Sequence, residues 1–371
     1  MASSVDPTPG GTPRRRVGSD RYLTYGAAAA PLLGWAAILL HAGPLPTGIL
    51  VVAVVLAAVH HAEVVAHRVG EPFGTLVLAV AVTVIETGLI VSLMLANPQA
   101  TSALARDTVF AAAMIILNLL LGLCLLIGGI KHSEQSFNRS GATAALGALA
   151  TLLVLTLVLP NFTVTTPGPA YSPVQLALVA ACSLALYLTF VFVQTVRHRD
   201  YFLPAPDQRT GPDSHADLPS DRAAWTSLGL MLVSLGAVVL MAKSLSLPLE
   251  QAVEAAGLPV AAVGVAIAGI VLLPESVAAV RAALADRLQT SLNLALGSAL
   301  ATIGLTIPAV AIASFFLGLP LALGMGPAGI TLLALSLFVS GQSIARGKTT
   351  VLHGAVHLVI FAAFVLTTVI P

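Results

Sequence analysis

The chain has 371 residues, of which 57% are apolar and 9% are charged, with a formal net charge of +1 at pH 7. Soluble domains carry about 25% charged residues, so this composition excludes an ordinary soluble fold. The near-neutral charge gives no basic surface for nucleic acid, and Cys124 and Cys182 lie in apolar runs that fit neither a structural disulfide nor a zinc site.

The chain begins with a polar, basic stretch rich in Pro, Gly and Ser. It covers residues 1–22, and we predict that it is a disordered cytoplasmic tail. The apolar run that follows, over residues 23–41, is longer than the apolar core of a signal peptide. We therefore expect it to be a first transmembrane helix.

Ten further apolar runs follow, each close to the roughly 20 residues that a helix needs to cross a bilayer core. They are predicted at residues 46–67, 73–96, 107–130, 141–160, 173–195, 223–242, 258–280, 290–315, 327–345 and 350–370. A hydrophilic stretch over residues 197–222 has no apolar period and is predicted to be a cytoplasmic linker. The sequence therefore predicts an all-α polytopic membrane protein of about eleven helices, with five-helix units at 46–196 and 223–371.

Basic residues divide unequally between the two sides that these spans define. With the N-terminus in the cytoplasm, fifteen Lys and Arg residues fall inside and two, Arg106 and Lys243, fall outside. Cytoplasmic loops favour Lys and Arg, so we expect a protein of the cell inner membrane with its N-terminus inside and its C-terminus outside. Five helices per unit would invert the second unit relative to the first, as in inverted-repeat transporters with sites near mid-membrane.

The end of the second span carries a cluster of titratable residues. His60, Glu63 and His67 share one helix face at i, i+3 and i+7, and Glu71 follows at the membrane edge. The functional interpretation is a cytoplasmic vestibule that collects protons or cations, and the alternative is an interfacial cluster without a role. A metalloprotease would require the order H-E-x-x-H, which is absent, so an intramembrane metalloprotease is only a distant alternative.

Two glutamates, Glu86 and Glu275, lie well inside predicted spans. An ionisable group at that depth is costly and by default marks a functional site. Each lies about ten residues before the end of its helical stretch and is followed by a hydroxyl residue, Thr87 or Ser276. A pseudo-two-fold axis would bring both to mid-depth together. The alternative is a pair of protonated glutamates that only bond neighbouring helices.

Two buried carboxyl groups suit the exchange of a cation for protons. Burial disfavours the charged form, so each group alone keeps its proton. Calcium prefers carboxylate, carbonyl and hydroxyl oxygens. The pair can hold two protons or one divalent ion with the same net charge, so the two ligands compete. If the empty, charged pair is too costly to move through the membrane, exchange is obligatory and needs no cofactor beyond the transported ions.

Polar residues on the following helices could support this site. Asn118 is the only amide in its span, and Ser298, Thr302 and Thr306 follow one another at four-residue spacing. Such hydroxyl groups also bond back to carbonyls of their own helix, which is the alternative.

Two further features of the second unit carry open interpretations. Pro274 precedes Glu275 directly, where it either frees a carbonyl for a cation or only kinks the helix. His353 and His357, at i and i+4 in the last span, either satisfy each other or a neighbour, or handle protons.

The stretches HHAEVVAHRVGEPFGTLVLAVAVTVIETGLIV and LLPESVAAVRAALADRLQTSLNLALGSALATIGLTIP resemble the two alpha-repeats of bacterial calcium/proton antiporters. These belong to the calcium:cation antiporter superfamily, and the likeness is greatest to the branch that also exchanges sodium or potassium for protons. The tail LHGAVHLVIFAAF is similar to that branch too, so the resemblance runs from about residue 45 to the end. It implies that Glu86 and Glu275 bind the cation, with Asn118 and Ser298 in support.

Two positions depart from the family pattern. Val82 and Thr83 stand where many calcium exchangers have a Gly-Asn pair, and Thr302 stands near a position that often carries glutamine. Both changes remove amide oxygens, so the choice between Ca²⁺ and a monovalent cation stays open.

These observations predict a secondary antiporter and not an enzyme. It would move Ca²⁺, or Na⁺ or K⁺ as the alternative, against protons across the lipid bilayer. The shared cation and proton ligands would be Glu86 and Glu275, and the supporting residues Thr83, Asn118, Ser298 and Thr302. A passive channel is disfavoured because no ring of like charges or filter-like loop is present.

Overall fold

The computed structural model describes residues 17–70, 73–98, 101–203 and 219–370. Nearly all of these residues are helical. The α-helices are α1 Val17–Leu39, α2 Pro44–Val69, α3 Phe73–Ala96, α4 Leu104–Met114, α5 Leu121–His132, α6 Arg139–Leu153, α7 Pro173–Phe192, α8 Asp221–Ala255, α9 Ala261–Val271, α10 Leu273–Leu284, α11 Leu288–Leu317, α12 Pro327–Ala345 and α13 Val351–Val369. The strands are β1 Gln135–Ser136 and β2 Lys348–Thr349.

Several spans are not uniform α-helices. A π-helical segment, Ile115–Leu120, joins α4 to α5, and π-helical turns Val154–Val158 and Val193–Arg197 extend α6 and α7. The 3₁₀ turns Leu159–Phe162 and Arg199–Tyr201 end these two extensions. π-Helical turns inside α-helices are rare and occur frequently at functional sites.

The all-α membrane architecture predicted from sequence is confirmed, whereas the count of eleven spans is not. Nine helices among the described residues are long and apolar enough to cross a bilayer, or ten if the bent pair α9–α10 forms one span. The expected first span corresponds to α1, whose apolar part, Gly26–Leu39, is shorter than a bilayer core requires.

The structure corrects some predicted boundaries. Helix α1 begins at Val17, so a disordered tail reaching residue 22 is too long. Helix α8 begins at Asp221 and continues past residue 242 to Ala255, with Pro248 inside it. The predicted spans end where polar residues mark the edge of the hydrocarbon core. A helix can continue into water beyond that edge because its backbone hydrogen bonds are internal. Residues 1–16 and 204–218 of the predicted tail and linker lie outside the described residues.

Helix contacts between the two halves follow an exchange pattern. The first helices of the halves, α2 and α8, pack along each other. The second helix of each half packs on the third of the other, as α3 does on α11 and as α9 does on α4. The third helix likewise meets the fifth of the other half, in the pairs α5–α13 and α11–α7. Each of these contacts therefore has a matching contact in which the two halves exchange places. Such matched contacts are typical of a pseudo-two-fold arrangement.

The loops gather at two ends of the bundle. At one end, β1 pairs antiparallel with β2, and the predicted linker leaves α7; we call this the linker face. At the other end, the opposite face, the amide of Gly324 donates to the carbonyl of Pro169 at 2.9 Å and that of Ala322 to the carbonyl of Ser102 at 3.0 Å. Loops of both halves therefore meet at each face.

Glu275 lies on a short helix with one jointed end and one clamped end. Helices α9 and α10 meet at Leu272 with a bend of 56°. Pro274 occupies the first turn of α10, where its missing N–H costs no hydrogen bond. The span is therefore broken at this point, whereas the sequence left open either a freed carbonyl or a kink within one continuous helix.

Residues of the first half cap the C-terminal end of α10. Lys131 Nζ donates to the carbonyl of Leu284 at 2.8 Å. Gln135 Nε2 donates to the carbonyl of Ala283 at 3.1 Å and to Asp286 Oδ1 at 2.8 Å. These donors satisfy carbonyls that a helix end leaves unpaired. The last turn of α5 and strand β1 thus fix this end of α10.

The predicted orientation can be tested by cysteine labelling. In a chain with Cys124→Ala and Cys182→Ala, we expect Ser214→Cys to react with a membrane-impermeant thiol reagent only from the cytoplasm. Val164→Cys, at a position that is 97% exposed on the opposite face, should react only from outside. Labelling of both positions from one side would contradict a membrane crossing by α7 and, with it, the predicted topology of the first half.

Candidate functional site

Glu86 lies in the middle of α3 and is enclosed by the bundle. Its side chain is 1% exposed, and Thr306 Oγ1 of α11 donates a hydrogen bond to Glu86 Oε2 at 3.0 Å. The packing of α3 on α11 makes this bond between the two halves. Thr306 was part of the hydroxyl stripe predicted on this helix but not of the predicted site, so its helical spacing was the signal that could have identified it.

Glu275 lies just past the joint between α9 and α10. Its Oε2 atom is buried and has no hydrogen-bond partner within the described part of the chain. The carboxyl groups of Glu275 and Glu86 are close enough to repel each other when both are charged. The structure therefore brings the two predicted glutamates into one region, with one oxygen left for a ligand.

Glu275 lines a cavity of about 130 Å³ between α3, α7, α10 and α11. Three of the predicted supporting residues, Thr83, Ser298 and Thr302, also line it. The hydroxyl of Thr83 donates to the carbonyl of Ala79 in its own helix at 2.8 Å, which leaves its oxygen lone pairs toward the cavity wall. Hydroxyl and carboxyl oxygens therefore converge at this cavity, which is the ligand chemistry of a hard cation.

Helix α7 contributes side chains that the sequence reading did not place at the site. Tyr187, Phe190 and Gln194 line the cavity, and Asn293 of α11 joins them. A Cβ atom at Gly304 of α11 would lie 2.7 Å from Cβ of Tyr187, so this glycine permits the close approach of the two helices. The polar Gln194 at the end of an apolar span was the only signal in the sequence for this wall.

Asn118, predicted to support the glutamates, is not among the residues that line the cavity. Its Nδ2 donates to Ser336 Oγ of α12 at 2.9 Å, and its Oδ1 lies 3.4 Å from His357 Nδ1 of α13. His357 Nε2 lies 3.1 Å from Ser343 Oγ. The π-helical segment around Asn118 faces α12 and α13, so its amide satisfies a buried polar group there. His357 bonds neighbours and does not meet His353.

The cluster at the end of α2 is only partly assembled. Glu63 attracts His67 one turn along the helix and is near enough to repel Glu275 when both are charged. His60 packs against His61 at a ring-centroid distance of 5.6 Å. Glu71 lies outside the described residues. Within those residues, no group of three His, Cys, Asp or Glu side chains is placed to hold a metal ion.

Comparison with known proteins gives a consistent picture. The family described as sodium/calcium exchanger protein matches residues 44–196 and 226–370, one segment on each side of the linker. The chain is 52% identical to y4hA of Sinorhizobium fredii over 317 residues, which cover 85% of this chain and 86% of the relative. It is 36% identical to the sodium-potassium/proton antiporter ChaA of Escherichia coli, with 84% of each chain covered.

Solved structures show the same fold. The H⁺/Ca²⁺ exchanger CAX superposes with a TM-score of 0.72 at 14% identity, covering 94% of this chain and 89% of that chain. YfkE superposes with a TM-score of 0.69 at 17% identity, covering 94% of this chain and 100% of that chain.

Proposed function

The chain belongs to the sodium/calcium exchanger protein family, and from this premise we propose that it is a secondary cation/proton antiporter in which Glu86 and Glu275 hold the cation and the protons in turn. One observation carries the assignment of the residues. Two carboxyl groups from opposite halves lie within electrostatic range of each other, and one of them has an unpaired oxygen at a cavity.

Charge balance at this pair would make exchange obligatory. Two protons or one divalent cation leave the pair neutral, whereas the empty pair carries two negative charges in a region of low dielectric constant. In the described conformation, the Thr306 hydroxyl donates a hydrogen bond to Glu86. One carboxyl oxygen of Glu86 therefore has a partner before any cation binds. The cation would enter from the cavity, meet Glu275 first and recruit Glu86 second. Each carboxyl group would release its proton as the cation contacts it, so that a divalent ion displaces two protons.

The exchange of contacts between the halves supports an inverted-repeat mechanism. Glu86 lies on α3, which packs on α11 of the second half. Glu275 lies on α10, which packs on α5 of the first half. A pseudo-two-fold axis between them would allow two conformations that open the pair to opposite faces in turn. We propose that the cavity beside Glu275 is the path from the linker face, which the basic-residue distribution assigns to the cytoplasm.

We propose Ca²⁺ as the principal cation because a dianionic pair attracts a divalent ion more strongly than a monovalent one. Na⁺ or K⁺ is the second candidate. It is favoured by the relative ChaA, named as a sodium-potassium/proton antiporter, and by the absence of amide side chains beside Glu86 on α3. The chain is also 26% identical over 279 residues to a Ca²⁺/H⁺ antiporter of Aphanothece halophytica. Its relatives therefore include proteins named for each of the two candidate cations.

Proton flux in everted vesicles tests the proposal directly. Acid-loaded vesicles containing the wild-type chain should lose protons on addition of Ca²⁺, and less on addition of Na⁺ or K⁺ at neutral pH. We expect the difference to narrow in alkali, where protons no longer compete. A larger response to Na⁺ or K⁺ at neutral pH would reassign the cation. No response to any of the three, with protein present in the membrane, would contradict antiport.

A further inference from the structure

The first residues of the hydrophilic linker are folded against the bundle. After α7, residues 199–202 form a turn in which the amide of Phe202 donates to the carbonyl of Arg199 at 3.0 Å. The rings of His198 and Tyr201 stack at a centroid distance of 5.0 Å. Phe202 is only 6% exposed. We call residues 199–202 the docked turn, and its buried aromatic ring identifies it as anchored.

The docked turn contacts two side chains that line the Glu275 cavity. The ring of Phe202 packs edge-to-face on Phe190 of α7 with centroids 5.8 Å apart. The backbone carbonyl of Phe202 accepts a hydrogen bond from Asn293 Nδ2 of α11. Phe190 and Asn293 come from opposite halves of the chain and both form part of the cavity wall. The docked turn therefore supports that wall from behind.

The amide of Asn293 is held from its other side as well. Gln289 Nε2 donates to Asn293 Oδ1 at 2.9 Å. Gln289 Oε1 in turn accepts from the backbone amide of Asn138 at 2.7 Å. With a donor at Oδ1 and an acceptor at Nδ2, the Asn293 side chain has one favoured orientation. Loss of the Phe202 carbonyl would remove one of these two restraints and loosen the cavity wall at Asn293.

The seat of the docked turn depends on a glycine of α6. A Cβ atom at Gly141 would lie 2.5 Å from the backbone oxygen of Tyr201, a distance at which the turn must shift. Gly147 lies on the same helix, and a Cβ atom there would meet no atom within 4 Å. The chain thus provides a matched pair of glycines, one that touches the docked turn and one that does not.

We propose that the docked turn is a positioning element of the ion pathway: by holding Phe190 and Asn293, it sets how readily a hydrated cation reaches Glu275 from the linker face. The cavity's role as that pathway rests on the proposed function. The competing role is a plain anchor for the linker. An anchor would affect stability alone, whereas a positioning element also changes access to the cavity.

Access can be measured without any ion transport. Gly297 lines the cavity, and its Cβ position is open, so Gly297→Cys is a suitable reporter. It is combined with Cys124→Ala and Cys182→Ala, and vesicles with the linker face outward are treated with a membrane-impermeant cationic thiol reagent. We expect Gly141→Ala to raise the labelling rate by at least about threefold, a shift of roughly 0.7 kcal/mol, and Gly147→Ala to leave it unchanged.

A second pair of variants covers the possibility that Gly141→Ala does not fold. Phe202→Ala should raise the labelling rate in the same way, and Phe202→Leu, which keeps most of the buried apolar volume, should restore the wild-type rate. In chains without the reporter, Phe202→Ala should lower the apparent KM for the cation on the linker face, because the cation enters more readily, and leave the maximal rate near that of the wild type.

The labelling rates test the role of the docked turn, and cation exchange by the wild-type chain tests the proposed function separately. Equal labelling rates for Phe202→Ala, Phe202→Leu and the wild type would overturn the positioning role, whatever the effect on thermal stability. If the wild-type chain exchanges no cation, the function proposed above fails, yet the labelling rates still decide the role of the docked turn.

Discussion

Glu275→Gln is expected to abolish cation/proton exchange while the protein still inserts into the membrane. The carboxyl oxygen without a hydrogen-bond partner belongs to this residue, and an amide there cannot balance the charge of a divalent ion. Removing one charge from a buried ion pair costs about 3–5 kcal/mol, which corresponds to a loss of roughly a hundredfold or more in cation affinity. Proton flux in everted vesicles, normalised to the amount of protein, measures the effect.

Glu86→Gln is expected to give the same loss, because the amide cannot replace the second negative charge. Glu254→Gln is the matched control, since Glu254 is an exposed residue of α8 with no place at the site. Its exchange rate should equal that of the wild type. Exchange of Ca²⁺ at a near wild-type rate by either site variant would refute the two-carboxylate site and leave the family membership intact.

Apparent cation affinity is expected to fall steeply as the pH is lowered. Protons and the cation compete for the same carboxyl oxygens, so each proton displaced on binding weakens the apparent affinity by roughly tenfold per pH unit in the range where the site is protonated. A divalent ion that displaces two protons should therefore show about twice the logarithmic slope of a monovalent ion that displaces one. The measurement is the apparent KM for Ca²⁺, Na⁺ and K⁺ across a pH series.

The direction in which pH changes the cation affinity is set by the protons that the empty site holds at low pH. At low pH both carboxyl groups hold protons and the cation must displace them, so affinity is lowest there and rises until the pair is fully ionised. The variant His41→Gln provides a control, because His41 is an exposed residue between α1 and α2 and does not line the cavity. An affinity that stays flat across the series would place the protons elsewhere, and the next candidates are then His60, Glu63, His67 and His357.

The sequence predicted the parts of this molecule that depend on hydropathy and on rare intramembrane charges. All eleven predicted runs correspond to described helices or to the bent pair α9–α10, and ten of them are long and apolar enough to cross a bilayer if that pair is one span. Glu86 and Glu275 stood out because ionisable residues are scarce at that depth. Their approach to each other was expected from the predicted inversion of one half relative to the other.

Side-chain partners depended on helix rotation, which a single sequence does not define. Asn118 had the right chemistry and depth for the cation site, yet its helix turns the amide toward Ser336 and His357. The cavity wall formed by Tyr187 and Gln194 was missed for the same reason, since hydropathy does not show which face of α7 meets α11. The break at Leu272 required knowing that Pro274 begins a helix and does not interrupt one.

The short helix α10 has a mechanical consequence. Its far end is clamped by Lys131 and Gln135, and its near end meets α9 at the Leu272 joint. A rod held at one end and jointed at the other can swing about the held end, and Glu275 lies nine residues from that end, about 13.5 Å along the axis. A small rotation about the clamped end would therefore move the carboxyl group across the width of an ion, with the joint at Leu272 taking up the change in angle. The two halves could then alternate access to the site without separating.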